Sequence, residues 1–208
     1  MTTALIIPLN ADPAQTRQLH ALQHAFAEVC NALAPLARET RCWNRVALHH
    51  LSYRQLRARF PQLGSQMICN AIYSVSRSCR QVYQSPHSPF NLARLGTQPL
   101  PLLQFASSAP VYFDRHTLSI KSGQLSMFSL DGRLRFQLSI SADDEQRFQQ
   151  EKLREIAMVS IGDAFSLNFH FSGAPQDGAE ADPMLPQYVL ILTNPPSPSA
   201  PSAMEHAA

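Results

Sequence analysis

The spacing of apolar residues changes once along the chain, near Leu102, and this change limits the folds that the sequence can adopt. Before that point apolar residues recur at steps of three and four, and after it they alternate with polar residues. The first spacing is typical of an amphipathic helix and the second of a half-buried strand. The chain has 208 residues, which is long enough to bury a hydrophobic core. The sequence therefore predicts an α+β protein whose helices precede most of its strands.

Three helices are predicted in the first part of the chain, after a short strand at residues 3–9. Asp12 is predicted to cap the first helix, and Pro13 occupies its first helical position. We expect Pro35 to bend or end the last turn of this helix, because proline lacks the amide hydrogen that continues the helix. Ser52 is expected to cap the second helix. The predicted helices cover residues 13–37, 52–59 and 65–83.

The third predicted helix carries two stripes of residues on opposite faces. One stripe is apolar (Ile68, Ile72, Val75, Cys79, Val82) and the other is polar and basic (Gln66, Asn70, Tyr73, Arg77, Arg80). We expect the apolar face to pack against the protein and the polar face to meet a partner. Guanidinium groups beside amides and a phenol suit a polyanion that presents both phosphates and base edges. A solvated helix face without a partner is the alternative.

The second part of the chain predicts a series of short antiparallel strands. They cover residues 102–105, 111–113, 117–120, 124–130, 133–140, 153–161 and 164–171, with a short helix or loop at 141–152. A hairpin is expected on the Asp131-Gly132 turn. Many short strands in this order indicate a small closed or half-closed barrel. We expect the strand at residues 3–9 to join it, so that the helices form an insertion into the barrel.

The predicted organisation has five parts. They are a first barrel strand (1–12), a helical insertion (13–84), a linker rich in Pro, Ser and Gly (85–101), an antiparallel β-barrel (102–172) and a largely disordered tail rich in acidic residues, Pro and Ser (173–208). Within the tail only residues 188–193 (YVLILT) have the composition of a strand. We expect deletion of the tail to leave the fold intact.

Charge is segregated along the chain, although the net charge is only +2. Residues 1–140 hold fourteen Lys and Arg against five Asp and Glu, and residues 141–208 hold three against ten. Fifteen of the seventeen cations are Arg, whose planar fork binds phosphate bidentately and stacks on bases. The chain has no apolar run near the ~20 residues of a membrane span, no signal-peptide pattern and no CxxC pair. We expect a cytoplasmic protein with reduced cysteines and no contact with membranes.

Several stretches together resemble a known protein family. They are the first strand, the helix with Asn31, residues 49–83 (HHLSYRQLRARFPQLGSQMICNAIYSVSRSCRQVY), PF at 89, residues 103–120 (LQFASSAPVYFDRHTLSI) and residues 132–140 (GRLRFQLSI). Over residues 3–171 the chain resembles the N-terminal half of TnpB, the transposon-encoded RNA-guided nuclease, and of the compact type V CRISPR effectors. In that prokaryotic family the barrel is an OB-like wedge domain and the inserted helices are the recognition domain. The resemblance implies partners: a guide RNA and a double-stranded DNA target.

The resemblance also implies which residues read a short DNA motif. The matched positions on the helices are Tyr53, Ser65, Gln66 and Asn70, and Gln104 and Ser107 are further candidates in the barrel. Contacts to the nucleic-acid backbone are expected from arginines because of their phosphate-binding fork. These are Arg54, Arg57, Arg59, Arg77, Arg80, Arg94, Arg133 and Arg135.

The nuclease half of the family has no counterpart in this sequence. In the family, a RuvC-like domain follows the last barrel strand and opens with a Gly-x-Asp-x-Gly turn whose Asp binds a catalytic metal. Here the corresponding stretch is LILTN at residues 190–194. The acids at residues 143–145 read as a solvated turn, and the adjacent His49 and His50 have no partner at metal-ligand spacing. We therefore expect no enzymatic activity, no metal and no cofactor.

Three functions remain open at this point. The first is a nuclease-deficient TnpB-like protein that binds guide RNA and target DNA, alone or as the guide-binding subunit of an assembly in which separate protein subunits supply the effector activity. The second is a protein-protein adaptor module whose arginines bind an acidic partner. The third is a truncated transposon remnant without a selected activity.

Overall fold

The computed structural model of the chain describes residues 3–121, 123–172 and 185–193. The helices are α1 (Pro13–Thr40), α2 (Arg45–Arg59), α3 (Ser65–Tyr83), α4 (Leu92–Leu95) and α5 (Ala142–Gln150). The strands are β1 (Thr3–Leu9), β2 (Leu102–Phe105), β3 (Val111–Phe113), β4 (Leu118–Lys121), β5 (Gln124–Ser129), β6 (Gly132–Gln137), β7 (Lys152–Ile161), β8 (Ala164–Ser172) and β9 (Val189–Leu192). The prediction of an α+β protein is confirmed. None of the described helices has the length and apolar composition needed to cross a membrane.

The strands form three antiparallel sheets. The largest has the strand order β1, β8, β7, β3, a second has the order β4, β5, β6, and β2 pairs with β9. A barrel requires each strand to have a hydrogen-bonded neighbour on both sides. In the described part of the chain β1 and β3 end the largest sheet with one neighbour each, and no sheet closes into a barrel. The closed form of the expected barrel is therefore wrong, whereas the antiparallel pairing of short strands is confirmed.

Strand β1 connects the helices to the largest sheet. It pairs along its whole length with β8, from Thr3 opposite Phe171 to Leu9 opposite Phe165. The prediction that the first strand joins the β-rich part is therefore confirmed, and α1, α2 and α3 are inserted between β1 and the remaining strands. Ile7 and Leu9 are buried in a hydrophobic core to which α1 and α3 also contribute.

Helix α1 begins where the sequence predicts and ends later than predicted. Asp12 accepts hydrogen bonds from the backbone amides of Ala14 and Gln15, both at 2.8 Å. The helix continues past Pro35 to Thr40, so Pro35 does not end it. The residues around Pro35 remain packed, because Ala34 and Ala37 are buried. Burial of this face offsets the hydrogen bond that proline removes.

Asn31 of α1 is a hydrogen-bonding partner for strand β2. Its side-chain amide donates to the carbonyl of Phe105 at 2.9 Å, and its side-chain oxygen accepts from the amide of Phe105 at 2.7 Å. Gln23, also on α1, donates to the carbonyls of Ser108 and Ala109 at 3.3 and 3.4 Å. These two side chains fix α1 onto β2 and the loop that follows it.

Helix α2 begins well before its predicted start. Asn44 caps it by accepting hydrogen bonds from the amides of Val46 and Ala47 at 3.0 and 3.1 Å. Ser52 lies inside the helix, where its buried hydroxyl donates to the carbonyl of Leu48 at 2.7 Å. Its predicted role as a cap is therefore wrong. Asn and Ser are equally common caps, and the weak periodicity of residues 45–52 did not separate the two positions.

The hairpin of β5 and β6 turns one residue earlier than predicted. Ser129 pairs with Gly132, so the two loop residues are Leu130 and Asp131. Gly132 instead begins β6 with a φ of 110°, a conformation that residues with a Cβ rarely adopt. The predicted hairpin of β7 and β8 around Gly162 is confirmed, and the charged stretch before it contains α5.

The predicted linker and tail contain regular structure. Helix α4 lies within the linker, where Asn91 caps it and also donates to the carbonyl of Ser85 at 2.9 Å. Strand β9 confirms the strand predicted at residues 188–193, and it pairs with β2 so that Val189 lies opposite Phe105. The remaining parts of the predicted disordered tail, residues 173–184 and 194–208, lie outside the described residues.

Candidate nucleic-acid interface

Helix α3, the centre of the predicted interface, packs against α1, α2 and β3. Its apolar stripe is buried as predicted, with every member at most 1% exposed: Ile68, Ile72, Val75, Cys79 and Val82. Burial raises the pKa of Cys79 to about 12, so its thiol stays protonated and unreactive at neutral pH. This face of α3 is therefore core.

The polar stripe of α3 is partly covered by the largest sheet. Nε of Arg77 lies 3.5 Å from Oε2 of Glu155 on β7, and the hydroxyl of Tyr73 donates to the same oxygen. Arg77 also donates to the hydroxyl of Tyr112 on β3 at 3.4 Å. The side chains of Arg77 and Glu155 are only 32% and 14% exposed. The charge of Arg77 is therefore compensated within the protein.

The two tyrosines of this cluster stay neutral. Burial raises the pKa of Tyr73 to about 12, and the hydrogen bond to Glu155 acts in the same direction. Burial also raises the pKa of Tyr112 well above its ordinary value. At neutral pH neither phenol therefore adds a charge to this cluster.

Gln66, at the start of α3, is bound to Asp114. Its side-chain amide donates to Oδ2 of Asp114, while Oδ1 accepts from the backbone amides of His116 and Thr117 at 3.0 and 3.1 Å. Gln66 and Asp114 line a depression of about 480 Å³ together with Arg115 and His116. An adenine that pairs with both groups of the Gln66 amide must displace Asp114. The reading of a DNA motif by Gln66 stays a prediction.

The other motif-reading candidates on the helices lie in different settings. Asn70 is only 5% exposed, and its side-chain nitrogen has no hydrogen-bond partner in the described part of the chain. Tyr53 is half-buried and stacks on His49 of the same helix, with ring centroids 4.6 Å apart. Ser65 is exposed at the first position of α3. Ser65 is thus accessible as the fold stands, whereas Asn70 is not.

The two candidates from the β-rich part lie on β2 and in the loop that follows it. Gln104 is exposed on β2, opposite Leu190 of β9. Ser107 is exposed in the loop after β2 and lines a depression of about 570 Å³ with His20 and Ser160. This depression is not the one that contains Gln66. Ser107 and Gln66 therefore line different depressions, and the reading of a DNA motif by these residues stays a prediction.

The eight arginines predicted to contact the nucleic-acid backbone divide by exposure. Arg57 and Arg77 are half-buried, and Arg57 donates to the carbonyl of Leu63. Arg133 is exposed but donates to the side chain and the carbonyl of Ser126, both at 2.8 Å. The exposed members are Arg54, Arg59, Arg80, Arg94, Arg133 and Arg135.

Two exposed arginines at the junction of α1 and α2 were missed by sequence reasoning. Arg41 follows α1 and Arg45 begins α2, and both line a depression of about 520 Å³ with Arg80 of α3. The guanidinium carbon of Arg45 also lies 5.3 Å from the ring centre of Tyr73. Asn44 could have revealed them, because it is a common helix cap. A helix that starts after Asn44 places Arg41 and Arg45 on either side of one short turn.

Metal-binding side chains are not clustered in the described ranges. No group of three or more His, Cys, Asp or Glu there could hold a metal ion. The four cysteines are free thiols, and Nε2 of His20 lies 2.9 Å from Oδ1 of Asp163 in an exposed pair. The expectation that the chain is not an enzyme stays a prediction.

No protein-family model and no curated protein sequence matches the chain. The similarity to TnpB and the compact type V effectors therefore stays a prediction, and it depends on the stretches quoted above.

Proposed function

We propose that this protein binds nucleic acid as a nuclease-deficient, TnpB-like protein that holds a guide RNA and a DNA target. One observation carries the proposal: residues 41–113 contain eight Arg and no Asp or Glu. Six of these arginines are exposed: Arg41, Arg45, Arg54, Arg59, Arg80 and Arg94. A surface of one charge sign attracts polyanions, and binding releases the counterions that surround the polyanion.

The fold supports this proposal through the position of the basic stretch. Residues 41–83 contain α2 and α3, which lie within the insertion between β1 and the other strands. Asp114 accepts a hydrogen bond from Gln66 of α3, and Glu155 pairs with Arg77 of the same helix. They leave Arg80 exposed on the same helix. The helices thus present arginines to solvent, while two acids of the β-rich part bind other polar residues of α3.

The finer assignment of the two parts belongs to the same proposal. The open sheets β1-β8-β7-β3 and β4-β5-β6 would form the OB-like wedge, and α1 to α3 would form the recognition domain. In this arrangement base pairing with the guide supplies sequence specificity, and the protein supplies charge and motif reading. A separate nuclease or other effector subunit is an expected partner in the multi-chain form of this function.

Sequencing the RNA that copurifies with the expressed protein tests the proposal. We expect one discrete noncoding RNA species that resists nuclease treatment while bound. The double variant R54Q/R59Q should lose most of this RNA, because both side chains are exposed on α2. The control R17Q/K121Q removes two exposed cations that lie outside the basic stretch, and it should keep the RNA. Heterogeneous RNA in proportion to its cellular abundance would contradict a guide role.

A further inference from the structure

The junction of α1 and α2 forms a depression lined by Arg41, Arg45 and Arg80. All three side chains are exposed, and no Asp or Glu is among the described residues that line it. Glu39, the nearest acid in sequence, instead lies 3.8 Å from Arg38. Three like charges around one concave surface repel one another unless an anion lies between them.

The backbone that carries these arginines is held in place before any ligand binds. The amide of Cys42 donates to the carbonyl of Ala37 at 3.1 Å, and the hydroxyl of Ser76 donates to the carbonyl of Trp43 at 2.6 Å. Trp43 is 8% exposed and packs on Tyr83, with ring centroids 5.2 Å apart. A rigid junction loses little conformational entropy on binding, which favours affinity.

We propose that this depression binds the phosphodiester backbone of a nucleic-acid strand, an inference that rests on the proposed function. Each guanidinium can pair bidentately with the oxygens of a phosphate. The remaining polar side chains that line the depression, Asn44 and Gln84, are neutral and suit the sugar and ester oxygens. The first turn of α2 has no acid, so its N-terminus adds partial positive charge.

A nucleic acid fits this surface better than an acidic protein segment. Arg45 of the depression begins α2, and Arg54 and Arg59 are exposed further along the same helix, with no acid between Arg41 and Phe113. A strand with one phosphate per nucleotide can pair with several such cations, and no acid of this stretch repels it. The site is expected to be indifferent to base identity, because it contacts the backbone.

Trp43 makes the site directly measurable, because it is the single tryptophan of the chain and it lines the depression. Full-length protein freed of RNA by a high-salt wash is titrated with a ten-nucleotide RNA, an abasic deoxyribose-phosphate chain of equal length, inorganic pyrophosphate and an acidic peptide of ten glutamates. We expect saturable changes in Trp43 emission with the RNA and with the abasic chain at similar affinity. Pyrophosphate should compete at higher concentration, and the peptide should bind at least tenfold more weakly.

The matched variants are R41Q/R80Q and the control R17Q/K121Q, each of which removes two exposed cations. R41Q/R80Q retains Arg45, whose contact with Tyr73 supports the fold. It should weaken abasic-chain binding at least tenfold and reduce the slope of log affinity against log salt by about 0.7 per lost phosphate contact. The control should change affinity less than twofold. An unchanged Trp43 spectrum without ligand verifies that the variants are folded.

The outcomes separate this site from the proposed function. Equal affinity for the glutamate peptide and the abasic chain would overturn the phosphodiester site. Oligonucleotide binding that leaves Trp43 emission unchanged and tolerates R41Q/R80Q would overturn the site while the nucleic-acid function stands. Abasic-chain binding at Trp43 in a protein that copurifies with no discrete RNA would support the site and contradict the guide role.

Discussion

Arg77 and Glu155 form a largely buried ion pair that joins α3 to β7, with 3.5 Å between Nε and Oε2. The pair links the helical insertion to the largest sheet. Tyr73 donates to the same carboxylate, so one residue of the sheet holds two residues of the polar stripe. Tyr73 and Arg77, which were predicted to meet a partner, are therefore bound to a residue of the same protein.

Replacing Glu155 by Gln should lower the free energy of unfolding by about 1–3 kcal/mol, because it leaves Arg77 without its charge partner in a half-buried site. Urea unfolding measures this change. The matched control is Asp163→Asn, whose pair with His20 is exposed and should contribute less than about 1 kcal/mol. Equal losses in both variants would mean that the ion pair of Arg77 and Glu155 does not stabilise the insertion.

A chain that ends at Ser172 should melt about 3–12 °C lower than the full chain. Composition alone favours the opposite expectation, but truncation at residue 172 removes β9 and exposes β2. Burial of Val189 contributes about 1.5–3 kcal/mol, and each kcal/mol shifts the melting temperature by about 2–4 °C in a protein of this size. A chain that ends at Thr193 keeps β9 and is the control, with an expected shift below about 1 °C. Equal melting temperatures for all three chains would show that β9 contributes nothing.

Stability should fall as pH rises from about 9 to about 12. Burial raises the pKa of Cys30 and of Cys79 from 9.0 to about 12, and that of Tyr73 from 10.0 to about 12. A raised pKa in the folded state stabilises the fold below the unfolded pKa, and the gain is lost as pH rises to the folded pKa. Urea midpoints between pH 8 and 12 measure the loss.

Tyr73→Phe should reduce the part of this decline that begins near pH 10, since phenylalanine has no proton to lose. Its midpoint at pH 8 should be lower than that of the parent, because the hydrogen bond to Glu155 is lost. A decline between pH 10 and 12 as steep as in the parent would contradict the assignment to Tyr73.

The local features of the fold follow from residue patterns, whereas the partners of the polar stripe do not. Asp12 and Pro13 predict the start of α1, and the apolar stripe of α3 predicts its buried face, because both signals are contained within one helix. Glu155 lies far along the chain from Arg77, and only the fold brings them together. The polar face of α3 was predicted to be free for a partner because no acid lies near it in sequence. The acids that bind it, Asp114 and Glu155, come later in the chain.

The predictions of a closed barrel and of the start of α2 were wrong for different physical reasons. Alternation along a strand predicts which face is buried but not which strand lies beside it. The pairing of β2 with β9 therefore cannot be predicted from periodicity. Helix α2 was shortened because Ser52 resembles a cap, and this error hid Arg41 and Arg45.

The purified protein should not cut DNA or RNA in the presence of Mg²⁺ or Mn²⁺. Two-metal cleavage needs carboxylates that converge from separate elements, and the metal-binding Asp of the resembled family has no counterpart at residues 190–194. Incubation of labelled RNA and DNA with each metal, with EDTA as the control, tests this. Metal-dependent cleavage that persists through repeated purification would contradict it.

Arg77 and Arg80 lie about one turn apart on α3, and replacing them should affect different properties: stability for Arg77 and nucleic-acid binding for Arg80. Arg80→Gln should weaken binding of all nucleic-acid sequences alike and reduce the salt dependence by about one unit, with unchanged stability, because Arg80 is exposed. Arg77→Gln should lower the free energy of unfolding and leave the salt dependence unchanged, because Glu155 already compensates its charge. Salt-titrated binding and urea unfolding of both variants measure the two effects. A large binding defect in Arg77→Gln without loss of stability would mean that the ion pair opens to release Arg77 to the ligand.

Variants of Gln66 and Asn70 test which of these two residues contacts a base. If Gln66 leaves Asp114 to contact a base edge, Gln66→Ala should cost about 1–3 kcal/mol on the preferred DNA motif and little on scrambled duplexes. Asn70→Ala should affect the two duplexes equally, because the side chain is buried and cannot reach a base in this fold. Binding to motif-bearing and scrambled DNA is compared with the copurified RNA present. A motif-specific loss in Asn70→Ala alone would show that α3 moves on binding and that the buried amide, not Gln66, is the reader.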